Sequence, residues 1–210
     1  MDEILKELNE AIIEGEFGSV SKIVNRALDA SIEPSVILKE GMIVAMSEVG
    51  KRFEDGEYFV PEMLMAARAM KSGLEILRPH MIRTGVKSAG KVVIASVRGD
   101  LHDIGKNLVG MMLEGAGFEI VDMGTDVPTE RLIEKLKEEK ADILALSALL
   151  TTTMPNMKDA IEALKLAGMR ENIKVLIGGA PVTEEYARQI GADGFAPDAS
   201  RAVEAAKSLL

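Results

Sequence analysis

Five short apolar runs alternate with amphipathic helical segments over residues 91–210, and this alternation restricts the possible folds of the chain. Runs dominated by valine, isoleucine and leucine are typical of strands that are buried on both faces. Strands that alternate with helices in this way form a parallel sheet with the helices on its faces, which is the α/β class. The predicted strands are Val92–Val97, Glu119–Met123, Ile143–Leu150, Lys174–Ile177 and Gly194–Ala196, and the predicted helices lie around 105–116, 128–139, 156–168, 183–190 and 199–209.

Residues 1–82 follow a different period, in which apolar residues recur every three to four positions, as on one face of a helix. The sequence predicts four helices here, of which the third begins near Pro34 and ends at Gly50 and the fourth begins near Pro61. Short connections between such helices favour a small four-helix bundle. The polar, glycine-containing segment 83–90 then predicts a linker or hinge between this helical domain and a second domain, residues 91–210.

Composition excludes several classes of partner and of site. The chain of 210 residues has a net charge of −9, which argues against nucleic acid or an anionic membrane surface as the main partner, because both attract basic faces. It has no cysteine, which excludes disulfides, iron–sulfur clusters, thiolate zinc sites and cysteine nucleophiles. The N-terminal segment is acidic and amphipathic, and no apolar run approaches the roughly 20 residues of a membrane span. We therefore expect a cytoplasmic protein.

The segments that follow the predicted strands are the candidate ligand site. In open parallel sheets, ligands bind beyond the carboxyl ends of the strands, where the strand order reverses. If the order is 2-1-3-4-5, as in flavodoxin-like members of the Rossmann-like class, that point lies between the first and third strands. The first strand leads into Arg98–Gly105, which contains a histidine, and the third leads into Ser147–Met154, which has four hydroxyl residues. We expect these two loops to face each other.

The loop after the first strand differs from a Walker A phosphate loop. The spacing from Gly99 to Gly105 is one residue too long for that pattern, and Asn107 replaces the magnesium-binding hydroxyl. The loop instead places Asp100 two residues before His102. A carboxylate can fix one imidazole nitrogen and leave the other as a metal ligand or a base, whereas a solvated loop histidine is the alternative interpretation.

At these residues the sequence resembles the corrinoid proteins of cobalamin-dependent methyltransferases and the cobalamin-binding region of methionine synthase. The segment Gly99–Asn107 is close to the family signature, and Ser147-x-Leu149 and Gly178-Gly179 are its other two landmarks, in the expected order. The match covers essentially the whole chain. The resemblance implies cobalamin or a related cobamide as cofactor.

The resemblance also implies roles for individual residues. His102 would bind cobalt from below and displace the cofactor's own base, in the arrangement called base-off, His-on. Asp100 would hold the far nitrogen of His102, and Thr153 stands where methionine synthase has the serine that completes this chain. The other implied cofactor-binding residues are Gly99, Leu101, Asp103, Ile104 and Gly105 around the corrin, and Ser147, Leu149, Thr151, Gly178, Gly179 and Ala199 around the displaced nucleotide tail.

The segment Tyr58–Met63 resembles the cap segment that shields the upper face of the cofactor in this family. Phe59 and Met63 would then cover the reactive methyl group and exclude water. The alternative is that a methionine-rich helix packs the core of the bundle.

The resemblance implies a methyl carrier and not a complete enzyme. It would accept a methyl group on Co(I) from a donor through a substrate-specific methyltransferase subunit and deliver it through an acceptor methyltransferase, with a reductive activase as a further partner. Methanol, methylamines, methoxylated aromatics and betaines are all compatible donors. Three alternatives stay open: the corrinoid subunit of an adenosylcobalamin-dependent mutase, a cobalamin-sensing regulator, and a flavodoxin-like module that binds no corrinoid.

Overall fold

The computed structural model describes residues 3–85 and 88–210. These residues form two compact units. The first comprises the described residues up to Ser88 together with Glu114–Gly117, and the second comprises residues 89–113 and 118–210. None of the helices in the described residues is long and apolar enough to cross a membrane.

The first unit is built from helices. Three of its segments follow one another without a break, so the described residues 3–85 contain four continuous helical stretches, in agreement with the sequence-based prediction. The elements are α1 (Glu3–Ile13), α2 (Phe17–Asp29), α3 (Pro34–Val36), a π-helical segment (Ile37–Ile43), α4 (Val44–Glu54) and α5 (Val60–Thr84).

Two predicted boundaries of this unit are wrong. The third helical stretch continues past Gly50 to Glu54. A glycine typically ends a helix when its backbone is left-handed, and here that glycine is Gly56, with a φ of 75°. Similarly, α5 ends at Thr84 against Gly85, whose φ is 68°, so the first two residues of the predicted linker 83–90 are helical. Residues 86 and 87 of that linker lie outside the described residues, and its role as a hinge stays a prediction.

The second unit contains the predicted parallel sheet. All neighbouring strands pair in parallel in the order β2-β1-β3-β4-β5, which confirms the flavodoxin-like arrangement. The strands are β1 (Lys91–Ser96), β2 (Glu119–Asp122), β3 (Ile143–Ser147), β4 (Lys174–Gly178) and β5 (Gly194–Ala196), and the helices that alternate with them are α6 (Ile104–Gly115), α7 (Thr129–Glu139), α8 (Pro155–Leu166), α9 (Glu184–Ile190) and α10 (Ala199–Leu209).

The third strand is shorter than predicted, and the reason leads to the site. Strand β3 ends at Ser147, whereas the apolar run continues to Leu150. Beyond Ser147, the backbone N–H groups of Leu149 and Leu150 both donate to the carboxylate of Asp100, at 2.7 and 3.3 Å, and not to a neighbouring strand. A side chain from the loop after β1 therefore ends this strand.

Candidate functional site

The loops after β1 and β3 meet at the carboxyl edge of the sheet, as the predicted strand order requires. The register pairs Ser96 with Ser147, so both strands end at the same level. The two loops are joined by Asp100, whose side chain is 0% exposed. The structure thus brings together Asp100, His102 and Thr153, three predicted site residues from two separate segments of the sequence.

Asp100 accepts hydrogen bonds on both of its carboxylate oxygens. Oδ1 accepts from the backbone N–H of His102 at 3.1 Å and lies 2.8 Å from its Nδ1, whereas Oδ2 accepts from the Thr153 hydroxyl at 2.7 Å and from the N–H of Leu149. Burial alone would raise the pKa of Asp100, but the bonds from Thr153, Leu149 and His102 together outweigh it and hold the pKa well below its usual value. Asp100 is therefore an anion in the folded protein at neutral pH.

This anion decides the tautomer of His102. A carboxylate only accepts hydrogen bonds, so Nδ1 of His102 carries the proton that it donates to Asp100. The other ring nitrogen, Nε2, makes no hydrogen bond to any of the described residues, and the side chain is 50% exposed. In the neutral ring with this tautomer, Nε2 carries the lone pair, which is the form of imidazole that binds a metal.

Several apolar side chains near the two loops are exposed to solvent. Leu101 and Ile104 are 72% and 77% exposed, and Leu149 and Leu150 are also exposed. Asp103 and Gly105 lie beside them and are open to solvent as well. An imidazole nitrogen on a segment that also exposes leucine and isoleucine side chains fits a metal whose remaining ligands come from a large, largely apolar ring.

Three further residues, which the sequence does not single out, hold the histidine loop, Arg98–Gly105. The Ser96 hydroxyl donates to the carbonyl oxygen of His102 at 2.6 Å. Asp126 accepts from the N–H of Gly99 at 2.6 Å, and Asn156 donates to the carbonyl of Arg98 at 3.0 Å. The role of Ser96 could have been suspected from the sequence, because it is a polar residue at the end of an apolar strand. Nothing in the sequence near Asp126 indicates the role of that residue.

Lys106 explains why the resemblance to a phosphate loop is superficial. This lysine is buried, and its ammonium group lies 2.5 and 2.6 Å from the carboxylate oxygens of Asp122 and 2.6 Å from the side-chain oxygen of Asn107. It therefore links α6 to the end of β2. Its donors are directed at protein oxygens and not at a phosphate.

The residues predicted to surround a nucleotide tail lie at the ends of β3 and β4 and at the start of α10. Ser147, Gly178 and Gly179 are partly buried, Thr151 is exposed and Ala199 is buried. A Cβ atom on Gly179 would lie 1.9 Å from the carbonyl oxygen of Ala148, and φ is 131°. The fold itself therefore requires glycine at this position, because the loops after β3 and β4 touch backbone to backbone.

The two predicted shielding residues of the helical unit differ in exposure. Phe59, at the start of α5, is 65% exposed, whereas Met63 is fully buried. Burial of Met63 favours the alternative interpretation, in which this methionine packs the core. The shielding role of Phe59 stays a prediction.

Comparison with protein families identifies both parts of the chain. A family described as "B12 binding domain" matches residues 90–207, and a second family with the same description matches residues 4–78. The first of these contains the Asp100–His102–Thr153 arrangement.

Curated relatives match over the full chain. Dimethylamine corrinoid protein 1 of Methanosarcina acetivorans is 47% identical over 210 residues, which cover 100% of this chain and 98% of the relative. Trimethylamine corrinoid protein of Methanosarcina barkeri is 43% identical over 211 residues, which cover 100% of this chain and 97% of the relative.

A solved structure is also similar. The match is to a chain of the methanol:cobalamin methyltransferase complex MtaBC from Methanosarcina barkeri, with a TM-score of 0.87 and 32% identity, and it covers 99% of this chain and 80% of that chain. The corrinoid family implied by the loop Gly99–Asn107 is confirmed, as is cobalamin or a related cobamide as the cofactor. The chain belongs to the family of cobalamin-binding corrinoid proteins of methylamine and methanol methyltransferase systems.

Proposed function

We propose that this chain is a methyl carrier that holds its cobamide with Nε2 of His102 as the lower cobalt ligand and with the cofactor's own base displaced. One observation carries the proposal. Asp100 fixes the Nδ1 proton of His102, so that Nε2 of the neutral ring keeps its lone pair, and the neighbouring residues Leu101 and Ile104 expose apolar side chains. When bound, the corrin cobalt supplies the chemistry of accepting and releasing a methyl group.

The protein residues control the lower ligand. Asp100 stays ionised at neutral pH, because Thr153 and the backbone of Leu149 donate to it. An ionised partner strengthens the imidazole as a metal ligand and fixes the orientation of its ring. The bond to Asp100 uses Nδ1 of the ring, so His102 would keep it while Nε2 held a metal.

The remaining cofactor contacts are proposed for two groups of residues, all of which are exposed or half-buried except the buried Ala199. We assign the corrin edge to residues of the histidine loop, and the displaced nucleotide tail to residues at the ends of β3 and β4 and at the start of α10. The first group is Gly99, Leu101, Asp103, Ile104 and Gly105, and the second is Ser147, Leu149, Thr151, Gly178, Gly179 and Ala199.

The proposed partners follow from the relatives. The solved MtaBC structure is named as a methanol:cobalamin methyltransferase complex, and the curated relatives are named for dimethylamine and trimethylamine. We propose that a substrate-specific methyltransferase loads this chain, with a methylated amine as the donor class, because the amine relatives are the more similar in sequence. An acceptor methyltransferase and a reductive activase complete the proposed set.

Electron paramagnetic resonance of the cobamide-loaded protein in the Co(II) state tests the axial ligand. A single nitrogen-14 ligand splits each cobalt line into three, whereas nitrogen-15 splits it into two. We expect the triplets to become doublets when the protein is labelled with nitrogen-15 histidine. We also expect the splitting from histidine to be lost in His102→Ala and kept in His80→Ala, the matched control in this chain of two histidines. Triplets that survive labelling would show that the cofactor's own base stays on cobalt, and would refute the proposal.

A further inference from the structure

Ser96 is a buried hydroxyl that points at the proposed metal ligand from the sheet. It is the last residue of β1 and is fully buried, and its Oγ donates to the carbonyl oxygen of His102 at 2.6 Å. Among the described residues, the buried polar side chains also include Asp100, which is bonded to the ring of the same histidine, and Thr153, which donates to Asp100.

The sheet fixes the position of this hydroxyl. The backbone N–H of Ser96 donates to the carbonyl of Gly124 at 2.9 Å, and its carbonyl accepts from Val127 at 3.2 Å. On the other side Ser96 is paired in register with Ser147 of β3. A side chain on a central strand is held more precisely than one on a loop, so Ser96 is a rigid anchor.

His102 is consequently held at three points. Its N–H and its Nδ1 are both bonded to Oδ1 of Asp100, and its carbonyl is bonded to Ser96. The bonds to Asp100 share one oxygen atom and fix the ring together with the N–H. The bond from Ser96 holds the following peptide, the one between His102 and Asp103, independently of the ring.

We propose that Ser96 is a positioning residue, which keeps the peptide after His102 in place so that the imidazole can leave the metal and return without rearrangement of the loop. This inference rests on the proposed function, since it takes His102 as the cobalt ligand. Groups that orient a metal ligand from behind are known to change metal affinity, because they remove the cost of ordering the ligand.

The first experiment needs no cofactor. Nitrogen-15 histidine labelling gives ring signals from only two residues, and His80 serves as the internal reference. In Ser96→Ala we expect the His102 ring signals to shift or broaden while those of His80 stay in place. The control is Ser72→Ala, which removes a serine hydroxyl that donates to the Phe17 carbonyl at 3.1 Å within the helical unit. Unchanged His102 signals in Ser96→Ala would overturn the inference.

The second experiment measures the metal bond. In the cobamide-loaded Co(II) protein, we expect Ser96→Ala to lower the ratio of histidine-ligated to other cobalt species by about fivefold, the size expected for one hydrogen bond. Should Ser96→Ala not fold, Ser96→Cys preserves the volume with a weak donor and is judged by the same spectra.

The outcomes separate the two proposals. If the wild type shows histidine ligation and Ser96→Ala retains the same ratio, Ser96 serves the fold alone and the inference is wrong. If the wild type shows no histidine nitrogen on cobalt, the proposed function fails, and the cofactor-free experiment still decides whether Ser96 positions His102.

Discussion

The hydroxyl of Thr153 lies 2.7 Å from Oδ2 of Asp100, although the two residues are 53 positions apart in the chain. They meet because β1 and β3 are neighbours in a parallel sheet and end at the same level. The bond extends the pair of Asp100 and His102 into a chain of three side chains. Asp100 is thereby held by both loops, and its charge is stabilised although the carboxylate is buried.

Replacement of Thr153 by valine should destabilise the protein without changing its shape. Thr153→Val removes a hydrogen bond to a buried carboxylate, and we expect a loss of about 2 kcal/mol in the free energy of unfolding at pH 7. Urea denaturation of the cofactor-free protein, followed by circular dichroism, measures this loss. Thr152→Val is the matched control, because Thr152 is exposed, and it should change stability by less than about 0.5 kcal/mol. Equal effects of the two substitutions would contradict the role of Thr153.

Asp100→Asn should reduce stability most at neutral pH. Because the pKa of Asp100 is lowered on folding, its stabilising contribution is fully present above about pH 4 and is lost as the pH falls. We expect the free energy of unfolding of Asp100→Asn to be about 3 kcal/mol lower than that of the wild type at pH 7. This difference in unfolding free energy should become smaller towards pH 3.

Urea unfolding of the cofactor-free protein at several pH values provides this measurement. Asp29→Asn, at an exposed position of α2, controls for the loss of one negative charge. A difference between wild type and Asp100→Asn that stays constant from pH 7 to pH 3 would show that the charge of Asp100 is not what stabilises the loops.

Gly179→Ala should disrupt the ends of β3 and β4. The new Cβ atom would lie 1.9 Å from the carbonyl oxygen of Ala148, so the two loops must separate. We expect a loss of more than about 2 kcal/mol of stability in urea denaturation. Gly124→Ala is the matched control, since Gly124 also has a positive φ of 81° but its Cβ would meet nothing within 4 Å. A loss no larger than that of the control would mean that backbone conformation alone, and not the close approach, demands glycine.

Gly105→Ala should separate cofactor binding from stability. A Cβ atom on Gly105 would meet no protein atom within 4 Å, and the residue lies in the first turn of α6. The cofactor-free protein should therefore be as stable as wild type or slightly more stable, by about 0.5 kcal/mol. The affinity for cobalamin should fall by about tenfold, because the added methyl group occupies space that we assign to the corrin. Absorbance titration with cobalamin measures the affinity, and an unchanged dissociation constant would remove Gly105 from the proposed corrin contacts.

Ile104→Ser tests the apolar surface in the same way. Ile104 is 77% exposed, so its replacement should change the stability of the cofactor-free protein by less than about 0.5 kcal/mol. If its side chain is covered by the corrin, loss of that apolar contact should weaken binding by roughly tenfold. Leu166→Ser, at a 90% exposed leucine at the end of α8, should leave the affinity unchanged. Equal affinities of Ile104→Ser and wild type would contradict the assignment.

Much of the fold was predictable because local patterns report burial. The apolar runs and the helical periodicity over 91–210 specified five strands, their helices and the α/β class, and an assumed strand order proved correct. Boundaries were less predictable where a distant residue acts. The third strand ends at Ser147 because Asp100 binds the backbone beyond it, and no pattern within Ile143–Leu150 indicates this.

The sequence by itself determined the chemistry of this protein: the Asp100–His102 pair, the glycines 178 and 179, and the family to which these motifs belong. Only the tertiary structure decided which atoms meet. It showed that Thr153 reaches Asp100, that Ser96 holds the carbonyl of His102, and that the fold itself requires Gly179. The physical reason is that a hydrogen bond requires its two heavy atoms to lie about 3 Å apart. Whether residues remote in the sequence come that close depends on the strand order and register of the sheet.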